Sequence, residues 1–435
     1  MVRQVFVGPL IHTDDNETLI IIQHGAILVE DGKIINVLTD VNMSTAKNYN
    51  IPDEVFILDD GQFLIPGFID GHTHAVQFPN LGIGYDKDLL GWLETYTFPL
   101  EKKYSDVNFA AQAFEAAVKQ TIRAGTTTAC YFASLYAEAS TILAQKVIQF
   151  GQRAFIGKVN MNVSRDDGYY ETTEASIKNT ERFVREIEQL GSPLVKPIIT
   201  PRFALSCDME LMQTLARMAL EKNLHIQTHV SENKAEIQAV RKTFPQQSSY
   251  SAVYDAAGLL TSKTVLAHGI YLTDTELTMI KTRETAIIHC PSSNTCLKSG
   301  LCDVQRLRTE KIKVGLGTDV SGGFSFSMLD AMRSALQVSN QLFILKNNYI
   351  PLNYKDVFYM ATLGSANALS IGDKVGNFLP GKEFDALIID LNSDGSVLND
   401  LNEIEYTLEE KLQRFIHSGD DRNIVAVYIN GRKVK

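Results

Sequence analysis

The segment PGFIDGHTH, residues 66–74, combines an apolar, strand-like run with a short histidine motif. In an extended strand, side chains two positions apart point to the same side, so the rings of His72 and His74 face one way. Two imidazoles on one side can share a metal ion. A His-x-His triplet is also short enough to arise by chance, so its meaning depends on the pattern around it.

Apolar runs like the one at the start of this segment recur through the middle of the chain and alternate with amphipathic helical stretches. Between the first two runs, Phe114, Val118 and Ile122 recur at helical spacing, and Gly125 follows as a helix stop. The eight runs cover residues 63–69, 126–132, 154–159, 195–199, 225–230, 264–267, 286–288 and 313–316. Eight strand-helix repeats predict an α/β fold, a (β/α)8 TIM-like barrel with its active site at the C-terminal ends of the strands.

Two β-rich ends flank this barrel. Short strand-like stretches cover residues 19–22, 26–29 and 33–37 before it, and 384–390 and 425–429 after it. An Asp-Gly pair at residues 31–32 and an Asn-Gly pair at residues 430–431 are typical of hairpin turns. A chain of 435 residues is therefore expected to form one dominant domain and a smaller accessory one.

Composition and charge exclude several classes of protein. With 45% hydrophobic residues, 21% charged residues and 12 prolines, the sequence is typical of a folded globular protein. Its formal net charge of -10 repels phosphate backbones and anionic lipids, so we expect no nucleic-acid and no membrane partner. The five cysteines form no secreted framework, and the sequence shows no secretory leader and no bilayer-length apolar run. These features predict a cytoplasmic protein with reduced thiols.

Candidate metal ligands follow several of the predicted strands. Asp319 follows the eighth run, in GLGTD. Five of the nine histidines fall at or just after barrel strands, namely His72, His74, His229, His268 and His289. Taken alone, a histidine at a strand end is more often a hydrogen-bonding residue, and Thr-Asp is a common helix cap. Because the strand ends share one barrel face, imidazoles and a carboxylate there predict a site for zinc or a similar metal.

A metal at this face would lower the pKa of a bound water to about 7 and supply hydroxide near neutral pH. Glu232, three residues after His229, is suitably placed to move protons. The alternative for Glu232 is a carboxylate that only complements a helix dipole. Its position beside a candidate ligand favours the acid-base role.

Two further positions bear on the substrate. Arg202 and Phe203 follow the fourth run and pair a fork of donors with an aromatic ring, which suits a planar heteroaromatic molecule with acceptor atoms. Their structural alternative is a surface salt bridge and a core aromatic residue. Gln77, three residues after His74, offers an amide donor and acceptor at the edge of the site.

The cysteine spacing argues against another class of zinc enzyme. Deaminases of the cytidine type use Pro-Cys-x-x-Cys, whereas here Cys290 precedes the proline and Cys296 follows six positions later. Both cysteines are therefore expected to be small buried residues or loop thiols.

Together, residues 66–74, the histidines of strands five and six and the aspartate after strand eight resemble the amidohydrolase superfamily. Longer segments resemble its metal-dependent members that deaminate guanine. These segments are WLETYTFP (92–99), GTTTACYF (125–132), VKPIITPRF (195–203) and GTDVSGG (317–323). The resemblance implies a small β-sandwich domain built from residues 1–65 and 376–435, with the barrel domain at residues 66–375. It also suggests a homodimer.

The same resemblance implies an activity and a set of site residues. The activity is hydrolytic deamination of guanine to xanthine and ammonia by a zinc-activated water, a step of purine catabolism. One zinc ion per chain would be bound by His72, His74, His229 and Asp319. The purine would be held by Gln77, Arg202, Phe203, His229 and His268. The catalytic residues would be Glu232, His268 and Asp319.

The sequence leaves two alternative functions open. Another amidohydrolase activity, on a triazine, a pterin or a cyclic amide, would keep the same barrel. The binuclear cyclic-amide enzymes of the superfamily bridge two metals through a carboxylated lysine on strand four, where Lys196 lies, although it precedes the strand end. The second alternative is a scaffold without metal, but the sequence retains all four candidate ligands.

Overall fold

The computed structural model describes residues 2–41, 54–399 and 404–435. Within them, eight parallel strands form a barrel in the order β14-β13-β12-β11-β10-β8-β7-β6, and β9 pairs with β10. A second sheet of eight strands is built from both ends of the described chain. The predicted barrel with a small β domain is confirmed.

The strands are β1 (Arg3–Thr13), β2 (Leu19–Glu30), β3 (Lys33–Leu38), β4 (Glu54–Ile57), β5 (Gln62–Pro66), β6 (Phe68–His74), β7 (Thr126–Phe132), β8 (Arg153–Gly157), β9 (Val159–Asn160), β10 (Val195–Pro201), β11 (His225–Val230), β12 (Thr264–His268), β13 (Ala286–His289), β14 (Val314–Leu316), β15 (Ala386–Asp390), β16 (Ile424–Ile429) and β17 (Arg432–Lys433).

The α-helices are α1 (Leu89–Trp92), α2 (Phe98–Glu101), α3 (Val107–Arg123), α4 (Ala137–Phe150), α5 (Thr173–Gln189), α6 (Met209–Glu221), α7 (Lys234–Thr243), α8 (Tyr250–Ala257), α9 (Asp274–Thr282), α10 (Pro291–Cys296), α11 (Val304–Thr309), α12 (Met328–Leu345), α13 (Tyr354–Ala361), α14 (Leu363–Ala368) and α15 (Leu408–Ser418). Ala75–Asn80 and Lys102–Ser105 are 3-10 helices, and Leu93–Thr97 is a π-helix. None of the described helices has the length and apolar character that a bilayer span needs.

The first predicted run, residues 63–69, is two strands rather than one. Residues 62–66 form β5 of the terminal sheet, and β6 of the barrel begins at Phe68. Gly67 lies between them, and a Cβ atom there would come within 2.2 Å of the Thr127 side chain, so the crossing needs glycine. As a result, His72 and His74 lie inside a barrel strand and not just after it.

The barrel closes between β6 and the segment that follows β14. The Asp319 amide donates to the His72 carbonyl at 2.9 Å, and the His74 amide donates to the Val320 carbonyl at 3.0 Å. The buried Asp70 carboxylate accepts the Thr318 amide at 3.0 Å across the same seam. The closing hydrogen bonds therefore involve the residues that the sequence singles out as metal ligands.

The terminal sheet joins the two ends of the chain through β5 and β15, which pair antiparallel with Phe63 opposite Ile389. The stretches predicted as two strands at 19–22 and 26–29 form one strand, β2, because its pairing with β1 continues past a bulge. The long β1 itself has no counterpart in the sequence prediction. Its Phe6 ring lies 4.4 Å from the Phe384 ring, so the two ends share one core. The division into residues 1–65, 66–375 and 376–435 stays a prediction.

A buried ion pair links the barrel to the terminal sheet. Arg153 at the start of β8 places Nη2 2.8 Å from Oδ1 of Asp385, and the two side chains are 8% and 3% exposed. Nη1 of the same arginine lies 2.8 Å from Glu383. The guanidinium therefore satisfies two carboxylates at the junction.

We predict that Arg153→Ala lowers the free energy of unfolding by about 3–5 kcal/mol, because it leaves a carboxylate buried without its partner. Denaturant unfolding monitored by circular dichroism measures this change. Arg283→Ala is the matched control, since Arg283 pairs with Asp255 at the surface and its side chain is 52% exposed. Equal effects of the two substitutions would contradict a structural role for the buried pair.

Candidate active site

Four side chains converge at the C-terminal end of the barrel. His72 and His74 come from β6, His229 comes from β11, and Asp319 follows β14. Nε2 of His72 and Nε2 of His74 lie 3.2 and 3.3 Å from Oδ1 of Asp319, and Nε2 of His229 lies 3.2 Å from that of His74. One donor atom from each of the four residues lies within 4.8 Å of the others, which is the spacing of a metal site.

The chemistry of these donors fits a zinc ion. Burial lowers the pKa of His72 to about 4 and holds that of His229 well below its usual value, so both imidazoles are neutral and keep a free lone pair. Burial alone would raise the pKa of Asp319, but its contacts with His72 and His74 hold it well below the usual value. Nε2 of His72 is buried, and although Oδ1 of Asp319 lies 3.2 Å away, no described residue forms a hydrogen bond of normal geometry with it. Three imidazoles and a carboxylate are ligands that zinc uses in proteins.

Neighbouring groups orient the histidines. Nδ1 of His229 lies 2.6 Å from the Arg202 carbonyl oxygen and donates to it, which leaves Nε2 unprotonated and facing the cluster. The Tyr254 hydroxyl donates to the His229 carbonyl at 2.7 Å and fixes the backbone there. The side-chain nitrogen of Gln77 lies 3.2 Å from Nδ1 of His74. These contacts hold the imidazoles in place before any ligand arrives.

A second group of side chains suits proton transfer. Nε2 of His268, at the end of β12, lies 3.4 Å from Oε2 of Glu232 and 3.7 Å from Oδ2 of Asp319. Burial raises the pKa of Glu232 to about 7, so this carboxyl group can both accept and release a proton near neutral pH. The Ser299 hydroxyl donates to Glu232 at 2.9 Å, and Nδ1 of His268 lies 2.8 Å from the side-chain oxygen of Asn294.

A cavity opens onto both groups. Its polar lining consists largely of residues that the sequence predicts: His74, Gln77, Arg202, His229, Glu232, His268 and Asp319. Its apolar walls are Leu89, Trp92, Leu93, Phe203 and Leu297. His72 does not line the cavity. Polar groups therefore converge on the side of the cavity next to the histidine-aspartate cluster, and apolar side chains form the rest of its wall.

Arg202 has a partner that the sequence does not reveal. Its guanidinium forms a bidentate ion pair with Glu101, at 2.5 Å from Nη1 to Oε2 and 3.0 Å from Nη2 to Oε1. Both side chains are almost fully buried. Arg202 does form a salt bridge, but the alternative that placed this salt bridge at the surface is wrong, because the pair is buried. No local motif marks Glu101, because its partner lies 101 positions further along the chain.

Two candidate residues of the sequence, His289 and Lys196, lie outside the cluster. His289 is fully buried at the end of β13. Its neighbours Ile288 and Cys290 pack into a cluster of apolar residues shared by the barrel strands. Because successive side chains of a strand point to opposite faces, His289 points away from that cluster. Lys196 is exposed near the start of β10. It lines a separate cavity with Arg153 and is not available to bridge two metals at this site.

Comparison with known proteins agrees with this geometry. The model of the amidohydrolase family matches residues 63–434. This chain belongs to the amidohydrolase family. The resemblance that the sequence indicates is confirmed. Binuclear members of the superfamily bridge two metals through a lysine on strand four, but none of the described residues that line the cavity of this amidohydrolase is a lysine.

Several relatives of this amidohydrolase carry one activity in their names. The chain is 45% identical to guanine deaminase of Dictyostelium discoideum, over 95% of this chain and 91% of that protein. It is 33% identical to guanine deaminase of Escherichia coli, over 95% and 91% of the two chains. The crystal structure of guanine deaminase from C. acetobutylicum with guanine in its active site superimposes with a TM-score of 0.92 at 36% identity and covers 100% of both chains.

We predict that replacing His72, His74 or Asp319 by Ala lowers bound zinc and activity together, because each change leaves the site one ligand short. Metal content of the purified variants, measured by inductively coupled plasma spectrometry, checks this prediction. His24→Ala is the control, since His24 is exposed on the terminal sheet. Full zinc occupancy in all three cluster variants would refute the ligand assignment.

Proposed function

We propose that this amidohydrolase hydrolyses guanine to xanthine and ammonia. The observation that carries the proposal is the cavity in which the histidine-aspartate cluster, a carboxyl group with a pKa of about 7 and Arg202 meet. The relatives that match the chain over almost its whole length, which are named guanine deaminase, support the same substrate. The solved guanine deaminase from C. acetobutylicum holds guanine in its active site.

The proposal includes one zinc ion per chain, held by His72, His74, His229 and Asp319. When bound, zinc polarises a water molecule and lowers its pKa towards neutrality. The spacing of the four donors supports this role, and the neutral state of His72 and His229 leaves their lone pairs available.

Glu232 is the proposed proton carrier. It takes a proton from the attacking water, delivers it to N3 of the purine, and His268 and Asp319 orient the oxygen that bonds to C2. The C2 hydroxyl group of the tetrahedral intermediate then gives its proton to Glu232, which passes it to the amino group. The amino group leaves as ammonia, and the C2 oxygen remains as a carbonyl in xanthine. A carboxyl group whose pKa lies near 7 suits both proton transfers, because neither protonation state is strongly disfavoured.

Arg202, Phe203 and Gln77 are the proposed purine-binding residues, together with His229 and His268. A guanidinium has five N-H donors; Glu101 takes two of them and the Met161 sulfur a third, so two remain for a ligand. A donor facing O6 distinguishes guanine from adenine, which carries an amino group at that position. The Phe203 ring lines the same cavity and offers an apolar face to the planar base.

We further propose a cytoplasmic homodimer that acts in purine catabolism. The five cysteines are free thiols in the described structure, in keeping with a reducing compartment. An apolar patch formed by Phe343, Ile344, Leu345 and Ile350 is 55–79% exposed at the end of α12, and patches of this kind favour association.

The decisive experiment adds guanine to the purified, zinc-loaded protein. We expect absorbance at the guanine band to fall while xanthine and ammonia appear in equal amounts. Adenine, a pterin and an aminotriazine are the comparison substrates. Turnover of one of these in place of guanine would assign a different deaminase activity, and no ammonia from any of them would favour a scaffold without catalytic function.

We predict that Glu232→Gln retains zinc and guanine binding but lowers kcat by about 10²- to 10⁴-fold, because the amide preserves shape and cannot carry a proton. Stopped-flow kinetics and metal analysis of the variant measure both quantities. Ser299→Ala is the control, since it removes only the hydrogen bond that reaches Glu232. A variant with nearly the full rate would move the proton carrier to another residue.

A further inference from the structure

Glu101 has every acceptor position of its carboxylate occupied. Oε1 accepts from Gln77 Nε2 at 3.0 Å and from Arg202 Nη2 at 3.0 Å. Oε2 accepts from Arg202 Nη1 at 2.5 Å and from the Tyr169 hydroxyl at 2.9 Å. Two of these donors, Gln77 and Arg202, also line the cavity. Glu101 itself lies behind them and does not line it.

This carboxylate is charged although it is buried. The Glu101 side chain is 1% exposed and that of Arg202 is 3% exposed. Burial by itself would raise the pKa of Glu101, but the Arg202 guanidinium holds it below its usual value. The cavity wall therefore carries the donors of an arginine without its net positive charge.

We infer that Glu101 sets the charge selectivity of the ligand pocket, so that the pocket binds neutral heterocycles in preference to anionic ones. An unpaired arginine on the wall would attract any anion of suitable shape, because its charge would act through a poorly screened interior. Paired with Glu101, the same arginine offers directional hydrogen bonds to a carbonyl oxygen while the pair as a whole stays neutral. Glu101 is thus a positioning residue that acts through Arg202.

The inference deepens the proposed function and rests on it for the class of ligand. Guanine is neutral in mildly alkaline solution, whereas its deamination product, xanthine, is a weak acid that is largely anionic there. A neutral pocket therefore binds the substrate better than the ionised product, which favours product release.

Two oxopurines probe the charge of the pocket without depending on turnover. Hypoxanthine stays neutral in mildly alkaline buffer, xanthine is largely anionic in the same buffer, and both carry the oxygen at position 6. Isothermal titration of the zinc-loaded protein with each ligand at one pH gives the ratio of the xanthine Kd to the hypoxanthine Kd. Both ligands are measured at one pH, so the protonation state of the protein affects the two Kd values alike and leaves their ratio nearly unchanged.

Four proteins then form a series in the charge of the buried pair. Wild type and the double variant Glu101→Gln with Arg202→Met carry no net charge, and Glu101→Gln alone carries one positive charge. Arg202→Met alone removes the group that holds the pKa of Glu101 down, so burial drives this carboxyl group towards its neutral form. We expect Glu101→Gln to shift the ratio towards xanthine by about tenfold or more. Arg202→Met and the double variant should both stay close to wild type, because neither carries an unpaired positive charge.

Tyr169→Phe is the matched control, because it removes one hydrogen bond to Glu101 and keeps both charges. Its ratio should equal that of wild type. If Glu101→Gln does not fold, Glu101→Ala, which also leaves the Arg202 charge unpaired, takes its place in the series. A ratio that is the same in all folded variants, or that does not follow the charge of the pair, would overturn it. Guanine turnover by wild type is measured separately, so its absence would refute the proposed function and leave the ligand series to be judged by itself.

Discussion

The closure of the barrel between β6 and the segment after β14 is the constraint on which the site depends. Two backbone hydrogen bonds join His72 to Asp319 and His74 to Val320, so the same seam that completes the barrel brings three of the four cluster residues together. The Asp70 carboxylate stabilises the seam by accepting hydrogen bonds from the backbone amides of His72 and Thr318. His72 and His74 are therefore brought close to Asp319, far along the chain, by the pairing of backbone segments that closes the barrel.

Backbone conformation is unusual at the C-terminal ends of several barrel strands. Ser231, His268 and Asp319 adopt positive φ angles of 48°, 76° and 47° although none is glycine. Each such residue costs about 1–3 kcal/mol and persists only where surrounding contacts hold it. Here the Asp319 amide bonds to β6, and the Gly269 amide donates to the Val230 carbonyl at 3.0 Å. The turns aim the His268 and Asp319 side chains at the same point above the barrel.

Buried charge at the site is managed by pairing. Arg202 is neutralised by Glu101, and Glu236 accepts the Tyr250 hydroxyl at 2.7 Å and the Glu232 amide at 3.1 Å. Burial nevertheless raises the pKa of Glu236, as it raises that of Glu232 to about 7, whereas the Arg202 guanidinium holds the pKa of Glu101 below its usual value. Carboxylates with similar sequence character thus have different protonation behaviour, because their surroundings differ.

The sequence alone determined the barrel, the two β-rich ends and the positions of the candidate ligands, because strand periodicity and short motifs are local properties of the chain. It placed His229 and His268 on their strands and located Asp319 beyond the last one. Only the tertiary structure decided the split of the first run at Gly67, the outward turn of His289 and the pairing of Arg202 with Glu101. These features depend on contacts between segments far apart in the chain, and no local pattern encodes a partner 101 residues away.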